Sequence, residues 1–447
     1  MNYKICTINF IFLISLCANL AAAQSVQLQM PKENTPNPFT IYKQGIDENN
    51  YLTPLLELQK DEFTKSKQWS GLLPDLLAYL FSFTGDYKTA YSHLDRTRER
   101  LLSDLPYKDI TSSPIDEYEP QPAIETVAAL AGKNQVVMIN EEHDTPMHRA
   151  FTMRLLPILY NKGFRYLAPE TFVETDETIR KRGYASHKTG FYSNDPVFGE
   201  MIRTALRLGF KIVTYEYPAE KLIECRKQGK DADFCQNERE RGQAQNLADR
   251  ILRADPQAKI LVHVGRGHNQ QVKLETWAQM GWHFKDITGI TPLSVNQMLS
   301  ERSEPKYESG LYRYVLNKWK FNEPAVFVNK AGSYFSTNGY NLAIFHPRST
   351  FEKGRPTWIE TLGGRKSENI NLKKLKLKSG KNIFTGGESI LIQAFYAGES
   401  ADAIPADQII LYPKQKIPAL MLPKGIFQIR AMDKTGKILS QYEKKLD

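Results

Sequence analysis

Between residues 119 and 300 the chain alternates short apolar runs with longer stretches of helical period. Residues 135–140 carry Val136-Val137-Met138-Ile139, a β-branched run of the kind that forms a buried strand. The run breaks into Glu141-Glu142-His143-Asp144. A helix is expected from about Pro146 to Tyr160, with proline in its first turn, where a missing N–H does no harm. The unit then recurs. Residues 166–169 form a strand that leads into Glu170. A helical stretch at 174–182, an irregular loop at 184–195 and a helix at 196–208 follow, the last ended by Gly209. A strand at 211–214 leads into Tyr215 and Glu216. After a long helix at 236–254, a strand at 259–264 leads into Gly265-Arg266-Gly267-His268. A helix at 271–280 is expected to stop at Gly281, with 282–290 as another strand. Strands alternating with helices predict an α/β fold with a mostly parallel sheet flanked by helices.

The flanks differ. Residues 24–50 are polar and proline-containing and read as an extended leader, 51–105 as helices, and 106–122 as a proline-rich linker. Residues 292–320 read as mostly helical, and 341–345 as an extra strand. Beyond 369 the pattern is short strands at 390–395, 409–411, 425–432 and 438–442. The last two flank Asp433-Lys434-Thr435-Gly436, a hairpin turn. The expected organisation is therefore a helical N-terminal extension (24–118), an α/β domain (119–364) and a small β-sandwich-like domain (365–447). Lys and Leu alternate from Lys373 to Lys378, as on an edge strand blunted by lysine. A glycan or polyanion contact through this C-terminal domain is the sharper alternative.

Lys4, an apolar stretch at 8–20 and Ala21-Ala22-Ala23 form a secretory signal peptide, with cleavage expected after Ala23. That makes the chain an exported protein, periplasmic or extracellular. No other apolar run is long enough to span a membrane. Of the four cysteines, Cys225 and Cys235 survive cleavage, and a local disulfide between them is expected. The net charge of +9 is spread along the chain and does not indicate nucleic acid binding.

The chemistry lies at the strand ends. Parallel strands bring their carboxyl ends to one edge of a sheet, where ligands bind. Here those ends carry Glu141, Glu142, His143, Glu170, Tyr215, Glu216 and His268, a convergence that marks a cleft. His148 and Arg149, on the first turns of the next helix, are placed to face the same crevice. His263, flanked by Val262 and Val264, reads as a buried, hydrogen-bonded strand residue, and His283 and His346 as structural. Two chemistries fit. His143 could act as a general base oriented by Glu141 or Glu170. Alternatively, Glu141, His143 and His268 could hold a divalent metal. HExxH, Gly-x-Ser-x-Gly and phosphate-loop motifs are absent.

The string Asn140-Glu141-Glu142-His143-Asp144-Thr145-Pro146-Met147-His148 resembles the Gly-Glu-x-His-Asp-x-Pro-x-His signature of ChaN-like haem-uptake proteins, which are related to the erythromycin esterases and the Tiki/TraB proteins. Gly163-Phe164 through Pro169-Glu170 is similar to the family's second strand. Residues 239–246 resemble its Arg-x-x-x-Met-Ala-x-Asn helix, with Gln243 in place of Met, and His263 to His268 its late Gly-x-x-His motif. The resemblance covers about residues 120–300. It implies Glu141, His143, Glu170 and His268 as shared site residues, with Arg241 and Asn246 supporting them or touching substrate; Arg266, beside His268, is a further candidate for substrate contact. It implies hydrolysis of an ester or amide, or else haem or metal binding without catalysis. For a haem ligand, Tyr184, Tyr192 and Tyr215 are open candidates. Asn140 departs from the signature's first glycine.

Overall fold

The computed structural model describes residues 36–99, 109–371, 374–375 and 387–447. The expected signal peptide lies outside them, as does most of the lysine-rich edge strand; of that strand only Lys374 and Leu375 are described.

Eight strands form the central sheet: β1 (Tyr118–Pro122), β2 (Val136–Glu141), β3 (Phe164–Pro169), β4 (Lys211–Ile212), β5 (Lys259–Gly265), β6 (Leu293–Leu299), β7 (Ala325–Asn329) and β8 (Leu342–Phe345). Their order is β1-β7-β8-β6-β2-β5-β3-β4. The pairs from β8 through β4 are parallel, and β7 runs antiparallel to both β8 and β1. The fold is thus α/β with a mostly parallel sheet.

Side chains alternate across a strand, and β2 shows what each face meets. Val137 and Ile139 join the larger apolar cluster with helices Ala123–Gly132, Pro146–Asn161 and Pro196–Leu208. Val136 and Met138 face the other way, onto Ala244, Leu247, Met280 and Phe284 of helices Ala232–Leu247 and Met280–Thr288. Both faces are covered, so β2 is buried throughout. The larger cluster continues into the N-terminal helices through Phe39, Leu55, Leu76 and Leu80, and to Leu391 and Ile410. Beyond the α/β core, Ile390–Tyr396, Asp407–Leu411, Gly425–Met432 and Ile438–Leu446 form a four-stranded antiparallel sheet, with the expected hairpin between the last two.

Four local expectations are corrected. Residues 38–47 are a helix, not an extended leader; Asn37 caps it, its side chain accepting from Phe39 N–H at 2.9 Å. The supposed linker ends in β1, an edge strand, where prolines cost no ladder bond on the open side. Residues 280–288 are a helix rather than a strand. Gly281 does not stop a helix there: a Cβ on it would lie 2.5 Å from the Asn269 carbonyl oxygen, so the position needs glycine for close approach. Finally, β6 occupies a stretch expected to be helical. Its Ser294, Asn296 and Gln297 are buried and hydrogen-bonded, which hides the strand behind polar residues.

Candidate active site

Glu141, at the end of β2, is the hub. Its carboxylate is 2% exposed. Arg149 donates to it twice, Nε to Oε2 at 2.7 Å and Nη2 to Oε1 at 2.8 Å. His143 Nδ1 lies 3.0 Å from Oε1, and His263 Nε2 lies 2.7 Å from Oε2. Burial works against charge on Glu141, yet Arg149, His263 and His143 together hold its carboxyl well below the usual range. Arg149 also donates to the His143 carbonyl at 2.7 Å, and Asp195 lies 3.4 Å from its Nη1.

This fixes the His143 ring. An ionised carboxylate only accepts, so Nδ1 carries the proton and Nε2 keeps its lone pair. Nε2 makes no hydrogen bond among the described residues. Tyr192 stacks on the ring, with centroids 3.7 Å apart and planes 12° from parallel. Burial lowers the imidazole pKa below its usual 6.5, against the pull of Glu141 and Glu170. His143 is therefore neutral at pH 7.

Glu170 follows β3 and meets His143 over the end of β5. It accepts from the Gly265 backbone N–H and from Arg239 Nη2, the latter at 3.2 Å. Burial raises its pKa, but as pH falls the protonation of His268 and His143, together with Arg239 and the Gly265 N–H, outweighs that and holds the carboxyl below its usual range. His143 Nε2 and Glu170 Oε2 both fall within 2.6 Å of the point where a Cβ on Gly265 would sit. Only glycine leaves room for them there.

The third wall is helix Ala232–Leu247. His268 Nε2 lies 3.0 Å from Arg239 Nη1, and its Nδ1 lies 2.6 Å from Glu240. Burial lowers the His268 pKa, but the Glu240 carboxylate close to Nδ1 outweighs that and raises it; while the ring is neutral, Nε2 accepts from Arg239, since arginine has only protons to give. Gln243 donates to Glu216 at 3.0 Å, and Asn246 donates to the carbonyls of Tyr215 and Glu216 at 3.0 and 2.9 Å. Arg239, Gln243 and Asn246 are spaced four and three apart, one face of the helix. Arg241 lies off that face and is exposed. The arginine that reaches the site is Arg239, which sequence reasoning missed, although its spacing from Asn246 could have identified it.

No family model, curated protein or solved structure matches the chain.

The remaining expected residues divide. His148 is fully buried; its Nδ1 accepts from the Glu142 N–H at 3.0 Å, and burial pushes its pKa down to about 3. It shapes the turn after β2. Arg266 leaves β5 with a φ of 43° and sets its Nε 3.3 Å from Glu142. It is one of the partly exposed cations at the site. Tyr215 is buried beneath Glu170 and Glu216, and burial pushes its hydroxyl well up. Glu216 also accepts from Thr171 N–H at 2.7 Å. Of the open haem-ligand candidates, Tyr192 stacks on His143, while Tyr184 bonds Ser400 away from the site. Asn140 points to the other side, donating to the Arg266 carbonyl at 2.6 Å and accepting from Gln297 N–H at 2.7 Å. His263 is the buried, hydrogen-bonded strand residue expected, with Thr152 3.1 Å from its Nδ1. The metal set Glu141, His143 and His268 is not assembled. Both Glu141 oxygens are engaged by Arg149, His143 and His263, and no metal-holding group of three is found among the described residues.

Cys225 and Cys235 form the expected disulfide, tying helix Ala219–Lys227 to the start of the Ala232–Leu247 helix. Closing a loop of this length stabilises by about 3 kcal/mol. Cys225→Ser with Cys235→Ser should lower unfolding stability by that amount in a urea titration. The same change should lower activity, because the freed helix carries Arg239, Gln243 and Asn246. Among the described residues no helix is long and apolar enough to cross a membrane.

Proposed function

We propose that this is an exported hydrolase of the erythromycin esterase, ChaN-like and Tiki/TraB kind, acting on an ester or amide. The observation that carries the reading is the Glu141–His143 pair. A neutral imidazole is held in one tautomer, with an unengaged Nε2 at the carboxyl edge of the sheet. In this mechanism Nε2 takes a proton from water. The hydroxide oxygen adds to the carbonyl carbon, and the imidazolium is stabilised by Glu141. Collapse of the tetrahedral intermediate breaks the bond to the leaving group, which takes the proton back from Nε2. Arg266 supplies positive charge beside the cleft.

The test is hydrolysis of an ester and amide panel across pH. The basic form of His143 is the active one, and its pKa is lowered. Activity should therefore be on its plateau at pH 7, with the acid limb centred below 6.5. A limb centred above 7, or no hydrolysis of any panel member, would reject the assignment.

A further inference from the structure

The sheet's carboxyl edge carries a second feature, unconnected with the His143 chemistry. His346 follows β8, and beside it opens a cavity of about 890 Å³, within the range that holds small ligands. One wall is a single face of helix Pro146–Asn161, on which Met147, Ala150, Phe151 and Arg154 stand at spacings of three and four. Arg149 and Thr152, on another face of that helix, belong to the Glu141 network. The opposite walls bring Trp319, Phe321 and Trp358, so four aromatic rings surround the space.

The charges around it are unequal. Arg348 is neutralised by Glu308, which engages both of its terminal nitrogens. Among the described residues Arg154 has only Glu323 as an acidic partner, at 2.8 Å; Glu323 also lines the cavity, but its side chain is 60% exposed, and such a pair is weak and exchanges readily. Lys320 is exposed, with only the Leu316 carbonyl at 3.4 Å and no acidic partner among the described residues. His346 adds no charge. Burial beside His148 holds its pKa well below 6.5. Its Nε2 meets Gln297 Oε1 at 3.2 Å, and its Nδ1 has no hydrogen-bond partner among the described residues.

We infer that this cavity is a second ligand site, for a flat apolar molecule bearing one acidic group. The aromatic walls take the body, and Arg154 and Lys320 take the anion. The probes are anilinonaphthalene sulfonate and its uncharged parent, phenylnaphthylamine, titrated into the full-length mature protein with dye fluorescence as readout. The sulfonate should saturate a single site. Arg154→Gln with Lys320→Gln should weaken it about tenfold, while the uncharged dye binds as before. Ala150→Trp, which fills the cavity, should abolish both, with circular dichroism confirming the fold. If that variant fails to fold, Thr357→Trp gives the same reading from the opposite wall. Dye binding that does not saturate, that survives a folded cavity-filling variant, or that loses no sulfonate affinity in the double variant overturns the inference.

Discussion

Gly265→Ala should abolish hydrolysis as completely as His143→Ala, each by about 10³-fold in kcat/KM, the scale of a lost general base. The His143 change removes the base outright. The Gly265 change adds one methyl group, yet that carbon would lie within 2.6 Å of both His143 Nε2 and Glu170 Oε2, and closer still to His143 Cε1. Neither neighbour has an easy retreat. Tyr192 stacks on the His143 ring, and Glu141 holds its Nδ1. Glu170 is tied to Arg239 and to the Gly265 N–H itself. A displacement of about 1 Å is enough to cost two orders of magnitude in a positioned site, and here the two groups that converge on one point would move together. Gly265 is not at a positive φ, so alanine suits the backbone. The loss should therefore appear in kcat/KM with the circular dichroism spectrum unchanged. An alanine variant with activity within fivefold of the wild type would show that the space over Gly265 is not where the chemistry occurs.

The sequence exposes this arrangement unevenly, for physical reasons. β2 and β5 are buried on both faces, and β3 is buried from Leu167 to Pro169, so each reads as an apolar run ending abruptly in charge. That is why Glu141, His143, Glu170 and His268 could be named from the chain alone. What escapes is whatever depends on orientation around a helix or on polar residues satisfied by distant partners. Arg239 and Arg241 are equal as letters, and what separates them is the spacing to Gln243 and Asn246, which has to be read as one helix face. β6 is hidden because Asn296 and Gln297 belong to a network with Asn140, more than 150 residues away. Asp195 caps helix Pro196–Leu208, accepting from the Phe198 N–H at 3.0 Å, but its approach to Arg149 comes from tertiary packing.

Glu141→Gln should destabilise the fold by about 3 kcal/mol as well as impair activity. The substitution keeps the shape and removes the charge, leaving Arg149 fully buried with only Asp195, at 3.4 Å, to answer it. Breaking one side of a buried ion pair costs about 3–5 kcal/mol, whereas replacing both sides with neutral groups is far cheaper. Glu141→Gln combined with Arg149→Met should therefore regain most of the stability lost in the single variant, while hydrolysis stays impaired because His143 has lost its charged partner. The pH dependence gives an independent check. The Glu141 carboxyl is held below its usual pKa in the folded state, so its contribution is full above the ordinary carboxylate range and is lost as pH falls through the folded value. The stability gap between the wild type and the double variant should accordingly hold above about pH 5 and narrow as pH falls below it. Urea unfolding of the three proteins at several pH values measures all of this. A double variant no more stable than Glu141→Gln would mean that Arg149 is not stabilised through Glu141.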